Sequence, residues 1–140
     1  PSTISIWNSL DPSDRTPSHF LSYMQQPPIP LFYHGSRQSN IKHAQLRMNC
    51  SKLNHHLFLL HVINSPACQC GFDCEDSNHY LLNCPLFHQD RIRMLLGIGL
   101  ICDLEITCDL LLKGSNSVNL DTNHKIFNIV HAFIDASGRL

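Results

Sequence analysis

The sequence predicts a mostly α fold in which several short helices gather around one metal-binding hairpin or turn. Three observations lead there. Ile126, Ile129, Val130, Phe133 and Ile134 recur at i, i+3, i+4, i+7 and i+8, the apolar face of an amphipathic helix. Ile41, Ala44, Leu46, Met48, Leu53, Leu57, Phe58 and Leu60 suit two further helices between Ser39 and His61. Between these regions lies Cys68-Gln69-Cys70-Gly71-Phe72-Asp73-Cys74-Glu75-Asp76-Ser77-Asn78-His79-Tyr80-Leu81-Leu82-Asn83-Cys84-Pro85, which contains C-x-C-x8-H-x4-C. Together they describe a small helical domain organised around a CCHC zinc knuckle with a short β-hairpin or turn.

The elements follow in chain order. Residues 3–10 suit a short helix or strand, and Asp11-Pro12-Ser13-Asp14 carries turn chemistry. Ser18 to Gln26 reads as another short helix, with Phe20, Leu21 and Met24 on one side. Gln26-Pro27-Pro28-Ile29-Pro30 is not helical, because proline removes a donor and restrains its predecessor, so 26–36 is expected to be an extended connector. In the next stretch Asn49-Cys50-Ser51 separates the two helices, Ser51 is the expected N-cap of the second, and Asn64-Ser65-Pro66 ends them. Pro85 stands where a first-turn proline is tolerated, and Leu86, Ile92, Leu95 and Leu96 support a helix over 86–97. A helix near 103–113 closes at Gly114, and Asp121 or Thr122 caps the last one, which ends near Gly138. The chain thus divides into short elements and a Pro-rich connector (1–36), basic helices plus the knuckle at 68–85 (37–97), and C-terminal helices (98–140).

Composition bounds the rest. A chain of 140 residues with 43% apolar content supports one modest core. Only 15% of residues are charged, against roughly 25% in an ordinary domain. The net charge of −1 hides a segregation: residues 15–72 carry five bases and no acid, whereas residues 73–140 carry nine acids and five bases. A long segment of one sign attracts phosphate even in a neutral protein, although chance in a charge-poor chain gives the same pattern. No run of about 18 apolar residues is present, so no membrane partner is expected. The start, Pro1-Ser2-Thr3-Ile4, lacks the order of a signal peptide, and its missing Met suggests a piece of something longer. Of seven cysteines, four fall within 68–84 beside a histidine, which favours metal over disulfides.

Zinc takes four soft or borderline ligands in a tetrahedron, and short spacings at each end of the cluster supply two ligand pairs. Gly71 permits the left-handed backbone of a tight turn. Glu75 and Asp76 open a short helix with acids at its positive end, His79 lies on that helix, and Cys84 falls at or just past its end. The favoured ligands are Cys68, Cys70, His79 and Cys84. Cys70-x3-Cys74 with His79 or Cys84 makes a second tetrahedral set, and buried cysteines without metal are the plain alternative. Nucleophilic catalysis by one of these thiols lacks any recognisable oxyanion-stabilising element. No P-loop, dinucleotide fingerprint or metal-holding Asp-Asp pair is present either, so no catalytic residue is expected. His55, His56 and His61 share no helix face and are expected to be solvated or hydrogen-bonded.

Four groups of residues then look familiar together: Trp7-Asn8-Ser9-Leu10-Asp11-Pro12, Leu46-Arg47-x3-Ser51-x-Leu53-Asn54, Ser65-Pro66-x-Cys68-x-Cys70-Gly71, and Glu75-x3-His79-Tyr80-x3-Cys84-Pro85 followed by Arg91. In that order they resemble the region downstream of the reverse transcriptase domain in animal non-LTR (LINE-type) retrotransposons. The ending Ile134-x3-Gly138-Arg139-Leu140 is similar to the terminal helix of those reading frames, so the resemblance spans nearly the whole chain. It implies a C-terminal zinc knuckle assisting nucleic-acid engagement during target-primed reverse transcription, with Zn2+ on Cys68, Cys70, His79 and Cys84. Cys74 matches no family ligand. The implied partners are RNA or DNA and the rest of a reverse transcriptase polyprotein. The implied location is intracellular, nuclear and cytoplasmic, although no basic localisation cluster is present. Leu140 departs from the aromatic often found there, and the polymerase and endonuclease parts are absent, leaving a non-catalytic appendage.

On this reading Arg37, Lys42, Arg47 and Lys52, with Arg91 and Arg93 after the knuckle, contact phosphates largely without reading sequence. Phe72 or Tyr80 would stack on an unpaired base. The competing reading is a structural or protein-interaction zinc module, or an inactive retrotransposon-derived fragment.

Overall fold

The computed structural model describes Phe32 and residues 35–140. The elements expected at 3–10 and 18–26, the Trp7 motif and most of the 26–36 connector lie outside the described residues. Helix α1 (Arg37–Arg47) starts because the Ser36 hydroxyl accepts from the Ser39 N–H at 3.1 Å. The chain then turns through Asn49, at φ 57°, into α2 (Asn54–Leu59). The break falls where expected, but Ser51 is not the N-cap. Its hydroxyl accepts from the Leu53 N–H at 3.2 Å and meets His56 Nδ1 at 2.7 Å, tying the break to the helix that follows.

Beyond the cysteine-rich turn, residues 77–83 form a short helix whose last five, His79–Asn83, are wound as a π-helix. A 3-10 turn, Pro85–Phe87, leads into α3 (His88–Gly99), with Pro85 in the first turn as its missing N–H allows. Helix α4 (Cys108–Lys113) is half the length expected, because the Thr107 side chain accepts from the Leu110 N–H at 3.1 Å and caps the helix there. Gly114, at φ +73°, closes it; a Cβ there would meet Asn123 Oδ1 at 2.6 Å. Helix α5 (Leu120–Ser137) is capped by Asn119, whose Oδ1 accepts from the Thr122 N–H at 2.8 Å, in place of the expected Asp121 or Thr122. Among the described residues there is no strand.

One core joins these helices. Helix α5 lays Ile126, Phe127, Val130, Phe133 and Ile134 against Met94 and Ile98 of α3, Leu110 to Leu112 of α4, Leu46 of α1, and Leu53, Tyr80 and Leu81. Each such burial contributes about 1.5–3 kcal/mol. Tyr80 and Leu81 come from the Cys/His segment itself, so that segment is continuous with the core.

The core also encloses a polar pair. His43 of α1 is 2% exposed, with Nε2 2.7 Å from the Leu111 carbonyl. A carbonyl only accepts, so Nε2 carries the proton and Nδ1 is left to accept from His131 Nε2 at 3.1 Å. Burial, which outweighs the Leu111 hydrogen bond, lowers the His43 pKa from 6.5 to about 3. Between those values the unfolded chain binds a proton that the folded chain refuses, so stability falls as pH drops, by up to about 1.4 kcal/mol per unit. In urea denaturation, His43→Gln is therefore expected to flatten the loss of stability between pH 6.5 and pH 4. Equal slopes for the two proteins would refute this role of His43.

Candidate metal centre

The site is assembled from a turn and a helix end. The Cys68 N–H donates to the Phe72 carbonyl at 2.9 Å and the Gly71 N–H to the Cys68 carbonyl at 3.0 Å, closing a tight turn. Gly71 sits at φ +100°, a left-handed conformation that side chains resist. The expected hairpin or turn is thus a turn, which brings Cys68 and Cys70 to one side. Asp76 then caps the following helix, its Oδ1 accepting from the His79 N–H at 2.8 Å.

His79 and Cys84 are five residues apart, and in an α-helix they would point about 140° away from each other. The π winding removes that difference, because the Cys84 N–H closes onto the His79 carbonyl at 2.7 Å and stacks i over i+5. As a result the ligand atoms of Cys68, Cys70, His79 and Cys84 all lie within 4.8 Å of one another, with three of the four side chains buried. Cys68 Sγ is 3.7 Å from Cys84 Sγ, and Cys70 Sγ is 3.3 Å from His79 Nε2. These four can hold a metal ion. Cys74 is not among them; burial, then Asp76 and Asp73, raise its thiol pKa.

Electrostatics separates the thiols. Burial pushes Cys68 up to about 12 and raises Cys84, while the Phe72 backbone N–H lowers Cys70. Burial also lowers the His79 pKa, favouring the neutral imidazole that a metal requires. His79 Nδ1 is buried and meets no partner among the described residues. Its ring is held instead by Phe72, stacked at 4.5 Å with planes 7° apart.

Two buried ionic arrangements brace the site, and neither was expected. Glu75 does not head the helix; it is 3% exposed and takes a bidentate pair from Arg139 at 2.6 and 2.9 Å. It also accepts from the Asn54 N–H at 2.8 Å, which anchors α2. Arg91, expected to contact phosphate, is 5% exposed and donates to the Leu81, Cys84 and Tyr80 carbonyls at 2.9, 2.6 and 2.9 Å. The Tyr80 and Leu81 carbonyls belong to the last turn of the helix, where a cation suits them, and the Cys84 carbonyl also accepts from the Phe87 N–H at 3.3 Å. Arg91 shares a helix face with Met94 and Ile98, at i+3 and i+7, and that spacing marks it as inward-facing.

The other expected phosphate contacts are dispersed. Arg47 is half-buried, donating to the Leu112 carbonyl at 2.7 Å with its guanidinium 4.0 Å from the centre of the Phe32 ring. Arg93 is exposed and pairs with Asp90 at 3.3 Å. Arg37 and Lys52 are exposed and Lys42 half-buried, with no ion pair among the described residues. Tyr80 is fully buried, its hydroxyl 2.6 Å from Ser137 Oγ, so it is withdrawn from base stacking. Phe72 keeps an exposed face.

No family model, curated protein or solved structure matches the chain.

Proposed function

We propose that Cys68, Cys70, His79 and Cys84 hold one zinc ion. The module so pinned binds nucleic acid without chemistry of its own, as an appendage of a non-LTR retrotransposon reverse transcriptase assisting RNA or DNA engagement in target-primed reverse transcription. The observation that carries the reading is the convergence of three thiols and one imidazole. Soft donors of this kind select zinc over magnesium or calcium. A tetrahedron with zinc bond lengths has edges of about 3.8 Å between sulfurs and about 3.6 Å between sulfur and nitrogen, near the 3.7 and 3.3 Å separations of the site. Four protein ligands fill the shell, as in structural rather than catalytic sites. The ion would supply a cross-link between turn and helix and would keep the buried thiols deprotonated.

Nucleic-acid binding is supported by the acid-free segment 15–72 and by Arg37, Lys42 and Lys52 within it, which form no ion pair among the described residues. One observation favours the competing protein-interaction reading: Ile92, Leu96 and Leu100 leave an exposed apolar stripe along α3 and its C-cap, at 38, 65 and 88% exposure. Among the described residues no helix is long and apolar enough to cross a membrane. Fluorescence anisotropy of a labelled single-stranded oligonucleotide across salt concentrations separates the two. On a single strand, three phosphate contacts give a log–log slope of about −2, and Arg37→Gln or Lys52→Gln each reduces its magnitude by about 0.7. Binding that ignores salt, or no binding, favours the interaction module.

A further inference from the structure

A cleft of ≈ 290 Å³ opens where the end of α1, α2, the start of the 77–83 helix and α4 meet. Its lining includes Asn49, His55, Asp76, Asn78, Asp109 and Lys113, beside Arg47. Asp109 and Lys113 stand one turn apart on α4 and form no ion pair among the described residues. His55 keeps a buried Nδ1 that no described protein group meets. Asp76 already accepts from the His79 N–H and Arg47 already donates to the Leu112 carbonyl, so Asp109, Lys113 and His55 are the groups the cleft offers a ligand.

We propose that this cleft takes one unpaired cytosine of a bound single strand. The inference rests on the nucleic-acid reading above and deepens it. Two carboxylates beside two cations oppose a bare phosphate, whereas a neutral group with donors and acceptors along one edge answers both signs. Leu112 is the one aliphatic side chain in the lining, which disfavours an apolar ligand. The volume lies at the small end of ligand sites, about 300–1,000 Å³, and suits a single base with its sugar. Asp109 accepts from the exocyclic amine of cytosine, as carboxylates do in base readout, while Lys113 donates to the ring nitrogen and the carbonyl oxygen along the same edge. Uracil places a carbonyl where the amine would be, setting lone pairs against the carboxylate.

The test compares labelled oligo(C) and oligo(U) of equal length with the metal-loaded chain at one salt concentration. Oligo(C) is expected to bind about tenfold more tightly, the discrimination of one well-made edge contact. Asp109→Asn, nearly isosteric and on an exposed position, should abolish the preference while leaving the thermal unfolding midpoint and the salt slope unchanged. Equal binding of the two oligonucleotides by the wild-type chain, with a normal salt slope, overturns the cleft alone. A preference that survives Asp109→Asn does the same. Failure of both oligonucleotides to bind overturns the nucleic-acid reading and this inference with it.

Discussion

On the proposed metal site, adding a chelator to the metal-loaded chain is expected to unfold it. The segment from Cys68 to Pro85 has no strand and one helix of two turns, too short to persist by itself. Yet it delivers Tyr80 and Leu81, both fully buried, to the core. Releasing the ion frees the turn from the helix and removes the constraint that places those side chains. Structural zinc sites contribute roughly 10–16 kcal/mol of apparent binding free energy, against about 5–15 kcal/mol of total stability for a domain. Circular dichroism with and without chelator, followed by urea titration of each form, measures the loss. His79→Ala should behave as the chelated chain does and Cys74→Ala as the loaded wild type. A chelated chain with an unchanged urea midpoint would sink the proposal that metal holds this fold.

Arg139→Met is expected to cost about 3–5 kcal/mol, the penalty of leaving a buried charge without its partner. Burial alone raises the Glu75 pKa, but the hydrogen bond from Arg139 and the Asn54 N–H outweigh it and hold the carboxyl below its ordinary value. A depressed carboxylate stabilises the fold above its unfolded pKa, and that contribution disappears as pH falls through the folded pKa. The variant removes this acid dependence, because Glu75 then prefers its neutral form. The double variant Glu75→Met with Arg139→Met should lose less than Arg139→Met alone, since no charge remains buried. Urea midpoints for the wild type and the two variants decide it; a double variant that loses more than the single would show that packing by these side chains, rather than charge pairing, matters most.

The grouping of Cys68, Cys70, His79 and Cys84 and helix α5 are legible in the sequence because both are local patterns, a four-residue spacing and a helical period. The break after α1 was legible for the same reason, since Asn49 tolerates the left-handed conformation it adopts. What escaped depends on distant contacts. Glu75 and Arg139 are 64 positions apart, and His43 and His131 are 88 apart, so no window of sequence contains either pair. The sequence pattern extends α4 back to 103, whereas the Thr107 side chain caps it four residues later. Its charge argues for a surface position for Arg91, although its spacing from Met94 and Ile98 points inward, where it lies buried. The π winding that aligns His79 with Cys84 leaves no sequence signature beyond the ligands themselves.

Cobalt substitution tests the metal assignment most directly, because a tetrahedral ion with thiolate ligands announces itself by intense visible bands and sulfur-to-metal charge transfer. One cobalt per chain with three-thiolate spectra, displaced by zinc, lost in Cys70→Ala and kept in Cys74→Ala, is the expected result. A folded chain that takes up no cobalt, or spectra that vanish with Cys74→Ala and persist with Cys70→Ala, would contradict it.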